Sequence, residues 1–320
     1  MNLPKITDLD VSQKKVLLRL DLDCKPDPNS FRLKSSEETL DYLKSKNAEI
    51  IIISHRGRPQ GKYDEALSLK PFQKYFDRWS AKVEENLRFD PGEMDNNPEF
   101  AKRLAALGEI YVNESFAVSH RNAASITSLP KLLPHAAGFR FIQEVENLSK
   151  VFLNPTRPLI FVVGGSKKDK VDYIKALKSS ADKILVGGRL PEYLGDNTVS
   201  IRSLDEDQKM IVANLVMDKE DITIHSIERF EEEIKKAKTL ILAGPMGKYE
   251  EEGHMQGTER IFKAVADSSA FKVVGGGDSL VLIENFKIKD KFDWVSVGGG
   301  AMLELLAKKT LPGIEALCSS

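Results

Sequence analysis

Strand-length apolar runs alternate along this chain with stretches whose apolar positions fall three and four apart. That is a buried strand followed by a half-buried helix, repeated. In the first half KKVLLRLDL (14–22), AEIIIISH (48–55) and EIYVNESF (109–116) read as strands. SSEETLDYLKSK (35–46), SLKPFQKYFDRW (68–79) and NPEFAKRLAAL (97–107) read as helices, the first opening like a capping box. QEVENLSKVFL (143–153) is a helix that stops before NPTRP and reads as a joint between halves. The second half repeats the scheme. PLIFVVGG (158–165), KILVGG (183–188) and KTLILAGP (238–245) read as strands, with a short strand near Ile222. DKVDYIKALKSS (169–180), DEDQKMIVANLVM (205–217), SIERFEEEIKKA (226–237) and GTERIFKAVADSS (257–269) read as helices. FKVVGGGDSLVLIENF (271–286) and DWVSVGGGAMLELL (293–306) each run strand, glycine triplet, helix.

Such alternation implies parallel sheets covered on both faces. The expected fold is α/β: two Rossmann-like three-layer lobes with parallel sheets, joined by a hinge helix. The expected lobes are residues 1–150 and 151–307, joined near 141–158. A length of 320 residues, too long for one comfortable core, supports two domains.

Composition narrows the function by exclusion. Lys plus Arg number 47 against 48 Asp plus Glu, so no global charge draws the chain to nucleic acid, and any anion site must be local. Cys24 and Cys318 are too few and too far apart for a disulfide framework or a zinc site, which fits a reducing compartment. No apolar run approaches a membrane span, and MNLPKITDLD lacks a signal peptide's apolar stretch. The expectation is a soluble, cytoplasmic protein.

In open parallel sheets, ligands bind beyond the carboxyl ends of the strands. In the first half these positions are basic. LLRLDLD brings Asp21 and Asp23, with Arg32 shortly after; SHRGRP brings His55, Arg56 and Arg58; ENLRFDPGE brings Arg88; SHRN brings His120 and Arg121. Several strand-end loops carrying arginine, whose planar fork matches carboxylate and phosphate oxygens, point to an anion pocket. The second half has glycines at the matching places: VVGGSKKDK, LVGGR, LAGPMGKYE, VVGGGDS and VSVGGGA. Glycine there lets backbone N–H groups approach a phosphate, and the helix N-terminus adds partial positive charge. Lys167, Lys168 and Lys170 add point charges, and Asp278 can cap its helix or help hold a magnesium ion. No Walker A motif and no early GxGxxG occur. Five glycine turns in one half point to a nucleotide or polyphosphate site without naming the reaction.

Taken in order, LRLDLD, SHRGRP, ENLRFDPGE, YVNESFAVSHR, NPTRP, GGSKKDK, GPMGKYE, VVGGGDS, GGGAMLELL and LPGIEAL resemble the motifs of the phosphoglycerate kinase family along nearly the whole chain. The resemblance implies a glycolytic transferase that moves the acyl phosphate of 1,3-bisphosphoglycerate to Mg-ADP, reversibly, giving 3-phosphoglycerate and ATP. It implies a glycerate lobe completed by the tail 308–320, a nucleotide lobe and hinge closure between them, in a monomer. By position, Asp21, Asp23, Arg32, His55, Arg58, Arg88 and Arg121 match the glycerate site. Lys167, Lys170, Glu250, Gly276, Gly277, Asp278 and Ser279 match the nucleotide site, with Asp278 at the metal. Arg32, Lys167, Gly276 and Gly299 match the positions around the phosphoryl group in flight. The chain departs from the family at several places. Asp23 stands for an asparagine, with Arg56 the nearest cation in motif; Ala123 stands for a histidine, Ala243 for an asparagine and Val297 for a threonine. GGSKKDK is one residue short between its lysines, and the stretch from about 188 to 230 is trimmed. These departures leave a second reading, an impaired relative that binds phosphoglycerate or nucleotide without catalysis.

Overall fold

The computed structural model describes residues 3–194 and 209–319. The chain divides into two compact units, Met1–Glu146 with Thr310–Ser320, and Asn147–Lys309.

In the first unit β1 (Lys15–Arg19), β2 (Glu49–Ile53), β3 (Lys82–Val83), β4 (Ile110–Asn113) and β5 (His135–Ala137) form one parallel sheet in the order β3-β2-β1-β4-β5. Leu17 lies opposite both Ile51 and Tyr111 in register. After its first residue β1 is buried without alternation, as a strand covered on both faces must be. The sheet turns direction beside β1, the switch point where such folds open a crevice. The helix Pro312–Cys318 returns the chain's end to this unit: Gly313 N–H donates to the Ser119 carbonyl at 2.8 Å.

The second unit carries β6 (Leu159–Val163), β7 (Lys183–Val186), β8 (Met210–Val212), β9 (Thr239–Ala243), β10 (Phe271–Gly275) and β11 (Trp294–Ser296), all parallel, in the order β11-β10-β9-β6-β7-β8. Its switch point lies between β6 and β9. Helices Gly277–Asn285 and Gly299–Lys308 come after β10 and β11: the first triplet ends its strand at Gly275 and starts its helix at Gly277, while the second begins after β11 has ended, with Gly298 capping the helix that Gly299 starts. Among the described residues no helix is long and apolar enough to cross a membrane.

Three expectations fail locally. The described part of 205–217 holds strand β8 rather than helix; 205–208 lie outside the described residues. Three apolar residues beside further apolar ones at Leu215 and Val216 imitate a helical period. Near Ile222 there is only an isolated antiparallel bridge to Leu215. Residues 70–79 form no single α-helix: 3-10 turns Lys70–Phe72 and Asp77–Trp79 flank one α-turn, Gln73–Phe76, and Ser80 closes them at φ 55. Leu69, Phe72, Phe76 and Trp79 are all buried, so helical spacing survives the changes of pitch. β3 and β5, two and three residues long, are too short to show a period.

One buried acid anchors the long helix Phe139–Leu153. The Glu114 carboxylate, after β4, accepts from the Thr39 hydroxyl and from the N–H groups of Arg140 and Phe141, both at 3.1 Å. A Cβ on Gly138 would collide with it, so glycine is needed there. Burial outweighs these bonds and pushes the Glu114 carboxyl up to about 7 from 4.5. A folded-state value above the unfolded one means stability present below about 4.5 and lost as pH rises through 7. Glu114→Gln is expected to flatten the fall of the thermal midpoint across that window; an unchanged slope would show that another group carries it.

Candidate active site

Strand ends in the first unit converge on a basic cluster. β1 ends in Arg19 and delivers Asp21, whose Oδ2 accepts from Arg32 Nη1 at 2.8 Å. The same Nη1 donates to the Asp23 carbonyl at 3.1 Å. Asp21 draws Arg32 upward in pKa, so that arginine is a fixed cation. β2 delivers His55, buried, and then Gly57, whose N–H donates to Asp23 Oδ1 at 2.8 Å and whose carbonyl accepts from Arg88 Nη1 at 2.7 Å. Gly57 sits at φ +61, where a side chain would also strike Leu67. Burial, then Arg19 and Arg121, lowers Arg88 to about 10. The field of Arg19, Arg88, Arg32 and Arg121 reaches His55 and, after burial, holds it well below the usual imidazole range. Among the described residues, Arg121 Nε is buried without a hydrogen-bond partner. An unused arginine donor in a cluster of cations is a site prepared for an anion.

Asp21, Asp23, Arg32, His55, Arg88 and Arg121 are thus brought together, while Arg58 stands exposed one residue beyond Gly57. Arg56 does not serve Asp23. It points to the Ser68 carbonyl at 3.4 Å and lies over the Phe72 ring at 5.7 Å. Arg32 and Arg88 are the cations that feel the Asp23 charge.

Sequence reasoning passed over the supports. Asn86 accepts from the N–H groups of Arg56 and Arg88 and donates to the carbonyls of Arg56 and Leu67, tying two strand-end loops together. Arg19 and Glu93 are each 1% exposed beneath the cluster. The available signal was a charged residue inside an apolar strand, which must be buried with partners.

In the second unit Lys170 starts the helix Lys170–Leu177 and reaches back across the switch point. Its Nζ donates to the carbonyls of Gly164 (2.6 Å), the residue after β6, and Ala243 (3.0 Å), the last of β9. Burial lowers it to about 8, against the pull of Asp278. Two of its three protons are committed, so one remains for a ligand. Lys167 is exposed beside it. The Ser279 hydroxyl accepts from Gly244 N–H at 2.9 Å, fixing the first triplet's helix to the end of β9. Asp278 and Glu250 are exposed, and both raise the half-buried Tyr249, which burial first pushes up to about 12. Nothing in the local sequence pattern marks Tyr249 out.

The triplets meet each other. A Cβ on Gly299 would lie 2.6 Å from Gly276 Cα and 3.0 Å from its nitrogen. Gly276 itself, at φ 114, precedes its helix in a conformation glycine favours. Two helix N-termini therefore stand side by side, a doubled source of partial positive charge.

The chain as a whole is matched by known proteins. The family model described as phosphoglycerate kinase covers residues 6–84, 81–220 and 205–309. The phosphoglycerate kinase of Desulfosudis oleivorans is 33% identical over an alignment 384 positions long, covering 97% of each chain. The chain belongs to the phosphoglycerate kinase family. That of Herpetosiphon aurantiacus is 32% identical with 99% of each chain covered. The phosphoglycerate kinase structure from Coxiella burnetii superposes with a TM-score of 0.79 at 29% identity, covering 99% of each chain. The Pyrococcus horikoshii enzyme, at 24% identity and a TM-score of 0.80, shares the fold. An alignment 384 positions long against a chain of 320 residues places the shortening within an otherwise family-wide match.

Proposed function

We propose that this phosphoglycerate kinase family member transfers a phosphoryl group reversibly between the acyl phosphate of 1,3-bisphosphoglycerate and ADP. The P–O bond to the C1 carboxylate breaks and one to the terminal oxygen of ADP forms. The carrying observation is a basic cluster with uncommitted donors, on a chain whose other unit stacks two helix N-termini beside Lys167 and Lys170. Such transfer needs no covalent nucleophile, only positioning and stabilisation of moving charge.

On this reading Arg121, Arg88, Arg58 and His55 hold the glycerate anion, and Asp21 orients Arg32 towards the reacting group. Lys167, Lys170 and the first triplet hold the nucleotide phosphates, with Ser279 keeping that triplet in place and Glu250 at the nucleoside end. Gly299 opens the helix facing the transferring group. Among the described residues no three His, Cys, Asp or Glu side chains form a metal cage. That suits a magnesium ion bound chiefly by nucleotide phosphates, with Asp278 as the one protein carboxylate; it supplies charge neutralisation there. The working unit is a single chain in the cytoplasm.

The division of labour is testable by two-substrate kinetics. Arg121→Ala is expected to raise KM for 3-phosphoglycerate by about tenfold or more with the ATP value held. Lys167→Ala is expected to cut kcat by about a hundredfold or more with KM for 3-phosphoglycerate held. Equal effects of both variants on both substrates would refute the assignment.

A further inference from the structure

Among the described residues Arg19 is one of the largest fully buried side chains, and each of its three nitrogens has a polar partner. Its Nε donates to Ser125 Oγ at 2.9 Å, and Nη1 donates to the Leu20 carbonyl. Its Nη2 lies 3.1 Å from His55 Nδ1 and 3.8 Å from Glu93 Oε1. Glu93 is held in turn by Ser125, whose hydroxyl donates to Oε1 at 2.7 Å and whose N–H donates to Oε2 at 3.0 Å. A guanidinium has donors only. The nitrogen that faces it must therefore accept, which places the imidazole proton on Nε2. A second proton on Nδ1 would set N–H against N–H and a charge beside a charge.

We infer that Arg19 is a positioning residue that locks His55 as the neutral Nε2–H tautomer, making it a directed hydrogen-bond donor rather than another cation. Its burial and the surrounding field point the same way: Arg88, Arg32 and Arg121 all oppose protonation of the ring, while Glu93 is occupied by Ser125. Among the described residues Nε2 has no hydrogen-bond partner, so its N–H is left for a ligand oxygen. Glu93 and Ser125 form the base of this support. What His55 touches rests on the proposed function; the tautomer does not.

Long-range proton–nitrogen correlation spectra of the full chain, labelled at histidine, read the tautomer directly. The His55 signals can be assigned by their loss in His55→Gln. The expected result is an unprotonated Nδ1 and a protonated Nε2, unchanged from pH 5.5 to pH 8. A protonated Nδ1, or a doubly protonated ring at pH 7, overturns the inference in the unaltered protein. Arg19→Met is expected to mix the tautomers and raise KM for 3-phosphoglycerate about tenfold with kcat held within about threefold. Arg19→Lys, which keeps a donor towards Nδ1, is expected to restore both. Loss of the lock with KM unchanged would show that the lock does not serve binding, separating that failure from failure of the glycerate assignment itself.

Discussion

Arg32→Ala is expected to lower kcat by about three orders of magnitude while leaving a cooperatively folded protein. Asp21 and the Asp23 carbonyl both engage Nη1, so one edge of the fork is spent on orientation. Among the described residues the remaining nitrogens have no hydrogen-bond partner, and the side chain is 21% exposed. That is the geometry of a cation held for an incoming oxyanion. Removing it leaves Asp21, at 7% exposure, without its cation and with the Asp23 N–H as its remaining partner, a stability cost of about 1–3 kcal/mol. Arg32→Lys should recover the Asp21 pair but little of the rate, because a point charge cannot reproduce the fork. Single-turnover measurements with both substrates saturating check the first claim. A kcat within about threefold of the unaltered chain would remove Arg32 from the mechanism.

Gly299→Ala is expected to cost about 2–3 kcal/mol of stability and to raise KM for the nucleotide, because the new methyl meets backbone that cannot step aside. Its Cβ would sit 2.6 Å from Gly276 Cα and 3.3 Å from the Gly275 carbonyl oxygen. Relief requires pushing the two helix starts apart, which disperses the paired N-termini. Gly277→Ala is the control: nothing lies within 4 Å of its Cβ, and stability should hold within about 0.5 kcal/mol. Chemical denaturation of the two variants side by side is decisive. Equal midpoints would mean that the triplets do not need each other.

That contrast shows where sequence reasoning stops. The strand-end arginines were legible because an apolar run announces its own end, and residues just past that end must face the switch-point crevice. The glycines were legible as a class but not by purpose. Gly299 makes room for Gly276, and Gly188 and Gly244 lie against the backbone of Gly165 and Gly164. A sequence cannot separate a glycine that admits a phosphate from one that admits another glycine. Lys170 has the sequence context of a phosphate ligand and proves also to be a clasp between β6 and β9. Arg19 was hidden for the opposite reason. It lies inside an apolar strand, and its partners Glu93 and Ser125 come from segments that only the fold brings near. His254 Nε2 likewise lies 2.9 Å from Asp218 Oδ2, another pairing made by segments distant in sequence.

The trimmed length and the changes at Asp23, Ala123 and Ala243 bear on one question above all, whether the chain turns over. A coupled assay of ATP- and magnesium-dependent phosphorylation of 3-phosphoglycerate by the full-length protein, repeated with GTP, answers it. Sustained turnover that Arg32→Ala abolishes is the expected result. Absence of turnover with either nucleotide, while calorimetry still shows 3-phosphoglycerate and ATP binding, would contradict the kinase reading and leave a binding protein built on the same fold.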